Sequence, residues 1–294
     1  MLLGRCSSLM KPVSFRYFAP RTVGDALDIL AVHGEDGKIL AGGQSLVPAM
    51  NFRLARPVSL IDINRIDALD YVREDGGELR IGALARHARF EVPVAKGALT
   101  ALLPRVARQI GHLPIRSRGT FCGSIAHADP ASEWCLLAST LDAELVIASR
   151  RGQRKVRPNE YFVTALTTTL EPDELVTEVR LPLLDDGWRT GFAEFSRRAG
   201  DYALAMCAAF LRFEEGRIVE ARLGLGGATD RPSRIAAAEA VLIGNGGEPG
   251  ILRAAGDIAA EAIDPLEDIH ASKEFRRDLV RAMVGRALGQ ALTR

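Results

Sequence analysis

The sequence predicts an α+β protein built in two parts, and three observations carry that prediction. Residues from about Phe15 to Asn64 pattern as helix, strand, helix, strand, whereas from Leu69 onward the strands come as hairpins, an order that cannot build a doubly wound parallel sheet. The segment LPLLDDGWR combines Pro, Asp-Asp and Gly between two well-patterned regions and marks a boundary, beyond which three strands lead into three helices. With 294 residues the chain is long enough for about two domains.

Taken in order, the first helix is signalled by Thr22, placed to cap it with Asp25 three residues on. Val23, Ala26, Leu27, Leu30 and Ala31 then share one face before Gly34 ends it. The strand of KILAGG follows at once, so its glycine pair sits at a strand's carboxyl end. Leu46 to Leu54 reads as a short helix or turn interrupted by Pro48, and SLIDIN, Ser59 to Asn64, as a buried strand. DYVRED and ELRIG flank Gly76-Gly77 as a hairpin, and an amphipathic helix runs from about Thr100 to Gln109 until Gly111. Asp129-Pro130 reads as the opening of another helix, Asp as N-cap and Pro at the first position, continuing through Trp134, Leu137 and Leu141.

ELVIAS and QRKVRP form a further hairpin around Arg151-Gly152, and Leu175 to Leu181 alternates as a strand closed by Pro182. Past the boundary, strands are expected at Gly191 to Arg197, Tyr202 to Glu214 and Arg217 to Gly224, making a three-stranded antiparallel sheet. Helices follow at about Ser233 to Leu242, Ile251 to Ala262 and Lys273 to Leu292, the last with Phe275, Leu279, Val280, Met283, Ala287 and Leu288 on one side. The domains so drawn are 10–184, in lobes of about 10–65 and 66–184, and 188–294.

Hydrophobic residues make up 47% of the chain and charged ones 26%, with 38 basic against 37 acidic side chains, so bulk charge offers no footprint for nucleic acid or anionic lipid. Cys6, Cys122, Cys135 and Cys207 show no CxxC spacing and no nearby histidine at ligand spacing, so the sequence offers no convincing zinc or iron–sulfur site of its own, and a reducing cytoplasm fits best. The longest apolar run, Tyr202 to Leu211, is too short to span a bilayer, and MLLGRCSSLM has too brief an apolar stretch for a secretory signal; residues before about Met10 read as a loose extension.

Two stretches carry chemistry. In KILAGGQS a strand ends in adjacent glycines, which allow a positive φ and leave N–H groups unshielded by any Cβ, as a phosphate-holding loop requires. RGTFCGSIAHAD has the same character and feeds the helix expected at Asp129, so the two could grip one pyrophosphate from opposite sides. A Gly-Gly after a strand, taken alone, reads more simply as a tight turn. The G-x-G-x-x-G fingerprint is absent from both, so a nucleotide here is not held in the Rossmann manner.

Several separated motifs, in order, resemble the flavin-binding medium subunit of molybdenum hydroxylases such as carbon monoxide dehydrogenase, and the equivalent domain of xanthine dehydrogenase. They are FRYFAPRTVGDALDILAVHG, AGGQSLVPAMNFRLARPVSLIDIN, IGHLPIRSRGTFCGSIAHADPASEW, DELVTEVRLP and FSRRAGDYALA. The resemblance implies the two-lobed FAD-binding fold of the vanillyl-alcohol-oxidase type followed by a C-terminal α+β domain, with FAD extended between the lobes. It places Lys38, Ile39, Leu40, Ala41, Gly42, Gly43, Gln44, Ser45 and Leu46 on one side of the pyrophosphate and Thr120, Cys122, Gly123 and Ser124 on the other. Backbone N–H groups of Gly42, Gly43, Gln44 and Gly123 and the hydroxyls of Ser45, Thr120 and Ser124 are the implied donors. Glu133 matches the acidic residue that bonds the adenosine ribose, and Asp129 orients the loop as helix cap.

By position Ile110, Val176 and Tyr202 match residues that pack on or near the isoalloxazine ring, although each also suits an ordinary core role. The chain departs from the family at Cys122, which replaces the first glycine of Thr-x-Gly-Gly; a Cβ there disfavours a positive φ or crowds a phosphate oxygen. As a thiol Cys122 reads as small buried filler. At Ala193 the xanthine dehydrogenase domain has a basic residue able to reach the flavin, so that contact is expected to be missing.

His112 and His127 flank the second stretch and read as loop-shaping hydrogen bonders, because no carboxylate partner is placed by sequence; Arg197-Arg198 reads as a solvated strand end. No catalytic or metal-ligating constellation is evident. The resemblance thus implies an electron-transfer flavoprotein working with a molybdopterin-binding large subunit and a small subunit carrying two 2Fe-2S clusters, as a dimer of heterotrimers. A stand-alone FAD-dependent oxidoreductase and a nucleotide-binding regulatory or assembly protein, the latter hinted at only by Cys122, are the competing readings.

Overall fold

The computed structural model describes residues 11–293, so Cys6, Arg294 and the extension expected before Met10 lie outside them. The chain opens with β1 (Arg16–Phe18), α1 (Val23–His33), β2 (Gly37–Leu40), α2 (Leu46–Asn51) and β3 (Ser59–Asp62), forming a parallel sheet in the order β1-β3-β2. Thr22 caps α1 as expected, its hydroxyl accepting from Asp25 N at 3.1 Å. β1 escapes sequence reading because three residues are too few to show an alternation.

The second lobe begins with the hairpin β4 (Val72–Asp75) and β5 (Glu78–Gly82), then α3 (Leu99–Ala107), α4 (Leu113–Arg118), α5 (Phe121–His127) and α6 (Glu133–Thr140). A hairpin of β6 (Glu144–Ser149) and β7 (Gly152–Val156) follows, then α7 (Pro158–Tyr161), the small β8 (Phe162–Thr164) and β9 (Thr167–Thr168), and β10 (Leu175–Pro182). β10 threads between the two hairpins, giving an antiparallel sheet in the order β4-β5-β10-β6-β7. Phe90, Phe121 and Trp134 cluster in the core, Phe121 stacked on Trp134 at 4.7 Å between centroids and Phe90 tilted against both, and they pin α5 and α6 to the lobe.

Two expectations fail here. The helix assigned to Asp129-Pro130 starts at Glu133, capped by Ser132, whose hydroxyl accepts from Cys135 N. Asp129 instead closes a turn, its Oδ1 accepting from Ala131 N at 2.9 Å, because Asp followed by Pro suits the first two places of a β-turn as well as a helix start. The second glycine stretch is not a loop either: it is the junction of α4 and α5, with Thr120 as the N-cap of α5.

The remaining residues form β11 (Trp188–Phe195), β12 (Ala205–Glu214), β13 (Arg217–Gly226) and β14 (Ser233–Arg234), then α8 (Ala236–Leu242), α9 (Pro249–Glu261) and α10 (Lys273–Leu292). The antiparallel sheet has four strands in the order β11-β12-β13-β14, one more than expected, because Ser233 and Arg234 pair with Leu225 and Gly224 before the helix begins. β12 is buried on both faces: Met206, Ala208 and Phe210 join the core of the preceding lobe, while Ala205, Cys207, Ala209 and Leu211 pack under α8 to α10. Phe275, expected on the buried side of α10, is 44% exposed at its first turn. The two regions are further tied by Gln290 of α10, whose Oε1 accepts from Arg105 Nη1 of α3 at 2.8 Å and from Phe192 N of β11 at 3.0 Å. Among the described residues no helix is long and apolar enough to cross a membrane.

Candidate cofactor site

β2 and β3 are parallel neighbours, so the segments that leave their carboxyl ends, Ala41 to Ser45 and Ile63-Asn64, emerge side by side. Such ends are where open α/β sheets receive ligands. Gly42 is pressed onto the α4–α5 junction: a Cβ there would stand 2.5 Å from Arg118 O and 2.6 Å from Gly119 Cα. Gly43 turns the chain at φ 73°, a conformation that glycine alone adopts without strain. The two glycine-bearing stretches are therefore in contact, as expected of two sides of one grip.

The N–H groups of Gly42, Gly43, Gln44, Ser45 and Leu46 donate to no acceptor among the described residues. Only Gln44 Nε2 bonds within the loop, to Gly42 O at 3.2 Å, and the first helical bond runs from Val47 N to Gly43 O. Consecutive free donors on partly buried backbone, with no Cβ on two of them, fit an anion with several oxygens such as a pyrophosphate. Ile39 and Leu40 are half-buried on β2 and Lys38 points to solvent.

The second stretch offers less than its composition suggested. Gly123 N is already committed to the Thr120 hydroxyl at 3.0 Å, and Ser124 N to Thr120 O at 3.1 Å, which removes Gly123 from the expected donors. Cys122, 2% exposed and helical, turns its thiol inward to Ile81 O at 3.5 Å. A Cβ at this position thus meets neither a positive φ nor the site, and burial raises the thiol far above its ordinary value, so Cys122 gives no support to a lost or redox-altered site.

Three residues that the patterning did not single out hold the grip together. Asn64 Nδ2 donates to Ala41 O at 2.8 Å, Arg86 Nη2 donates to Asn64 Oδ1 at 2.5 Å, and Arg86 Nη1 donates to Arg118 O. Burial, then the charge of Arg118, lowers the Arg86 guanidinium from its ordinary value, yet it remains the cation that spans both stretches. His87 N donates to Gly119 O at 2.9 Å, and its Nδ1 accepts from Trp134 Nε1 at 2.9 Å. Burial first, then Arg86 and Arg116, push His87 down to about 4, so it is neutral at pH 7. Asn64 had a legible signal, a short polar residue just past a buried strand; Arg86 and His87 stand at the start of a short 3-10 helix, His87–Glu91, whose pairing only the fold reveals.

Of the expected ring-side residues, Ile110 and Val176 are buried, Val176 opposite Ile147 beside a bulge in β10. Tyr202 is different, being 71% exposed. Its segment crosses from β11 to β12 by way of Gly200, whose ideal Cβ would lie 2.5 Å from the His112 ring, and reaches Gly227, whose N–H donates to Pro130 O at 2.8 Å. The segment thus spans His112 and, through Ala203 beside Gly227, the turn before α6. At that turn Glu133 is 9% exposed, held well above the usual carboxylate range by burial and then by Glu194.

Consecutive free backbone donors at an arginine-bridged junction, without the Rossmann fingerprint, fit the class of proteins that hold a nucleotide cofactor in a non-Rossmann manner. Comparison with known proteins gives the class its family. The family model described as the FAD binding domain in molybdopterin dehydrogenase matches residues 13–184, and that described as the CO dehydrogenase flavoprotein C-terminal domain matches residues 190–291. The chain is 40% identical over 286 residues to the 6-hydroxypseudooxynicotine dehydrogenase complex subunit alpha of Paenarthrobacter nicotinovorans, covering 97% of each chain. It is 38% identical to the nicotine 6-hydroxylase medium subunit of the same organism, covering 96% of this chain and 99% of that one. Carbon monoxide dehydrogenase from Hydrogenophaga pseudoflava, solved without the Mo-pyranopterin moiety of its cofactor, superposes with a TM-score of 0.92 at 35% identity, covering 96% of this chain and 98% of that one. The chain belongs to the FAD-binding medium subunits of the molybdenum-hydroxylase-type dehydrogenases, and FAD is the cofactor of that family.

Proposed function

We propose that this chain is the electron-transfer flavoprotein subunit of a molybdenum hydroxylase complex, taking electrons from 2Fe-2S clusters of a small partner subunit and passing them to an external acceptor. The substrate would be hydroxylated on a molybdopterin-binding large subunit, and the assembly is a dimer of heterotrimers in the cytoplasm. The observation that carries the reading is the run of free N–H groups from Gly42 to Leu46 pressed against the Arg118–Gly119 backbone. When bound, the flavin supplies a junction between one-electron and two-electron chemistry.

The chain's own residues bind, orient and shield. Gly42, Gly43, Gln44, Ser45 and Leu46 would meet the pyrophosphate charge with peptide dipoles, with Lys38, Ile39, Leu40 and Ala41 as the strand that aims them. Thr120, Cys122 through its backbone only, Gly123 and Ser124 form the facing wall, and Asp129 sets the turn that presents Glu133 to the ribose. Ile110, Val176 and Tyr202 would give the ring its apolar surroundings. Residues 10–184 would then form the FAD-binding domain and 188–294 the C-terminal flavoprotein domain. Co-expression with candidate partners is the test. Purification of a three-subunit complex whose flavin is reduced on adding the large subunit's substrate supports the reading; a flavin-bearing chain that runs alone and turns over small substrates overturns it.

A further inference from the structure

Asp62 ends β3 opposite Leu40 of β2, two residues before Asn64 and one strand away from the loop of free N–H groups. Tyr17 of β1 pairs with Leu60, so its side chain and that of Asp62 share one face of the sheet. The Tyr17 hydroxyl donates to Asp62 Oδ2 at 2.6 Å. The other oxygen, Oδ1, accepts from Asn64 twice, from its backbone N at 2.9 Å and from Nδ2 at 2.5 Å. Asn64 Nδ2 also donates to Ala41 O, and Arg86 donates to both Asn64 Oδ1 and Arg118 O. One chain of hydrogen bonds therefore runs from β1 through the end of β3 to the α4–α5 junction.

That chain decides which way round the Asn64 amide lies. Its NH2 group faces two acceptors, Asp62 Oδ1 and Ala41 O, and its oxygen faces the Arg86 guanidinium. Flipped end for end, the amide would set its oxygen against both acceptors and its N–H groups against a cation. Burial pushes the Asp62 carboxyl up, but the bonds from Tyr17 and Asn64 outweigh it and hold the group below its ordinary value, so it accepts as a carboxylate at neutral pH. A carboxylate this near to donors that await an anion opposes that anion. What offsets the opposition is the order it imposes on Asn64.

We propose that Asp62 is a positioning residue of the FAD grip: through Asn64 it fixes the Ala41 carbonyl, and with it the peptide run that begins at Gly42, while Tyr17 holds the carboxylate in place. The inference rests on the reading of Gly42 to Leu46 as that grip. Asp62 itself offers the cofactor nothing, since its oxygens are spent on Tyr17 and Asn64.

The test is fluorescence titration of the full chain, freed of flavin, with FAD. Asp62→Asn should raise the dissociation constant about tenfold in a chain whose circular dichroism matches wild type. The sign is diagnostic, because removing a negative charge near an anion site would by itself tighten binding. Asp62 and Arg86 act through one amide, so Asp62→Asn combined with Arg86→Met should bind within about twofold of the weaker single variant, where independent losses would multiply to about a hundredfold. FAD affinity unchanged or tightened by Asp62→Asn, unchanged by Arg86→Met, or losses that multiply, overturn the proposal and leave the FAD grip standing; a wild-type chain that binds no FAD overturns the grip itself and the proposal with it. Should Asp62→Asn not fold, Tyr17→Phe decides, at a residue 54% exposed. FAD bound about threefold more weakly supports the chain from Tyr17 to Asn64, and unchanged affinity overturns it.

Discussion

Arg86 donates to Asn64 Oδ1 at 2.5 Å while its other terminal nitrogen donates to Arg118 O, and Asn64 in turn donates to Ala41 O at 2.8 Å. One side-chain pair therefore ties the loop after β2 to the junction of α4 and α5, two stretches on different lobes. Neither residue need touch the cofactor for both to decide how well the grip is formed.

Replacing Arg86 with methionine should weaken FAD binding more than it weakens the fold. The guanidinium makes two bonds in a fixed fork, and a charged hydrogen bond contributes about 1.5–3 kcal/mol, so losing the span should raise the FAD dissociation constant roughly tenfold or more. Arg86→Lys should rescue little, because a single ammonium cannot reach both acceptors in the same geometry. Flavin fluorescence titration measures the affinity and thermal unfolding supplies the control.

Gly42→Ala should remove FAD from an otherwise folded protein. A methyl there would stand 2.5 Å from Arg118 O and 2.6 Å from Gly119 Cα, so the stretches must part; overpacking of this kind costs about 1–3 kcal/mol and falls on the free N–H groups first. The expected outcome is a circular dichroism spectrum like wild type with flavin content per chain reduced by about tenfold or more after gel filtration.

Those two predictions show where sequence reasoning worked. KILAGGQS was legible because its chemistry is local: a strand, two glycines and small polar residues suffice to say that backbone donors will be exposed. RGTFCGSIAHAD misled because composition does not show whether a glycine is needed for φ or for close approach, and here Thr120 folds the stretch into a helix cap that uses up Gly123 N. Asp129-Pro130 misled for a related reason, since Ser132 competes for the same capping task and wins. Arg86 and His87 were silent in sequence because each acts through a partner from another element, Asn64 or Trp134, and such pairings exist only once the sheets are assembled. The strand β12 was legible for the opposite reason, a continuous apolar run that needs both faces covered.

His87 gives the protein an acid weakness that can be located. Its folded value, pushed down to about 4 by burial and then by Arg86 and Arg116, lies below the ordinary value of 6.5 that it regains on unfolding. Between those values the unfolded chain binds the extra proton, so stability is fully present above about pH 6.5 and falls as pH drops toward about 4, by up to about 3 kcal/mol. Protonation of Nδ1 must also break the bond from Trp134 Nε1 at 2.9 Å, which ties the change to tryptophan fluorescence. His87→Gln, measured by urea unfolding across that range, should show a shallower decline than wild type.

Tyr202 separates cover from core. At 71% exposure it contributes little to folding, yet its segment is firmly held: Leu204 N donates to Phe195 O at 2.8 Å, Asp201 N to Arg198 O at 3.0 Å, and Gly200 rests on the His112 ring. On the reading proposed above, the exposed ring of Tyr202 on this held backbone packs against the flat apolar ring system of the flavin. Tyr202→Ala should therefore leave stability within about 0.5 kcal/mol while making bound flavin several-fold more accessible to iodide quenching. On that reading Tyr202→Phe should behave as wild type, since the ring and not the hydroxyl would provide the cover. Gly200→Ala reaches the same end by another route: a Cβ 2.5 Å from the His112 ring, on a residue held at φ 84°, must push the segment outward. Loss of about 3 kcal/mol in Tyr202→Ala with quenching unchanged would instead make Tyr202 a packing residue and leave the flavin ring without the cover assigned to it.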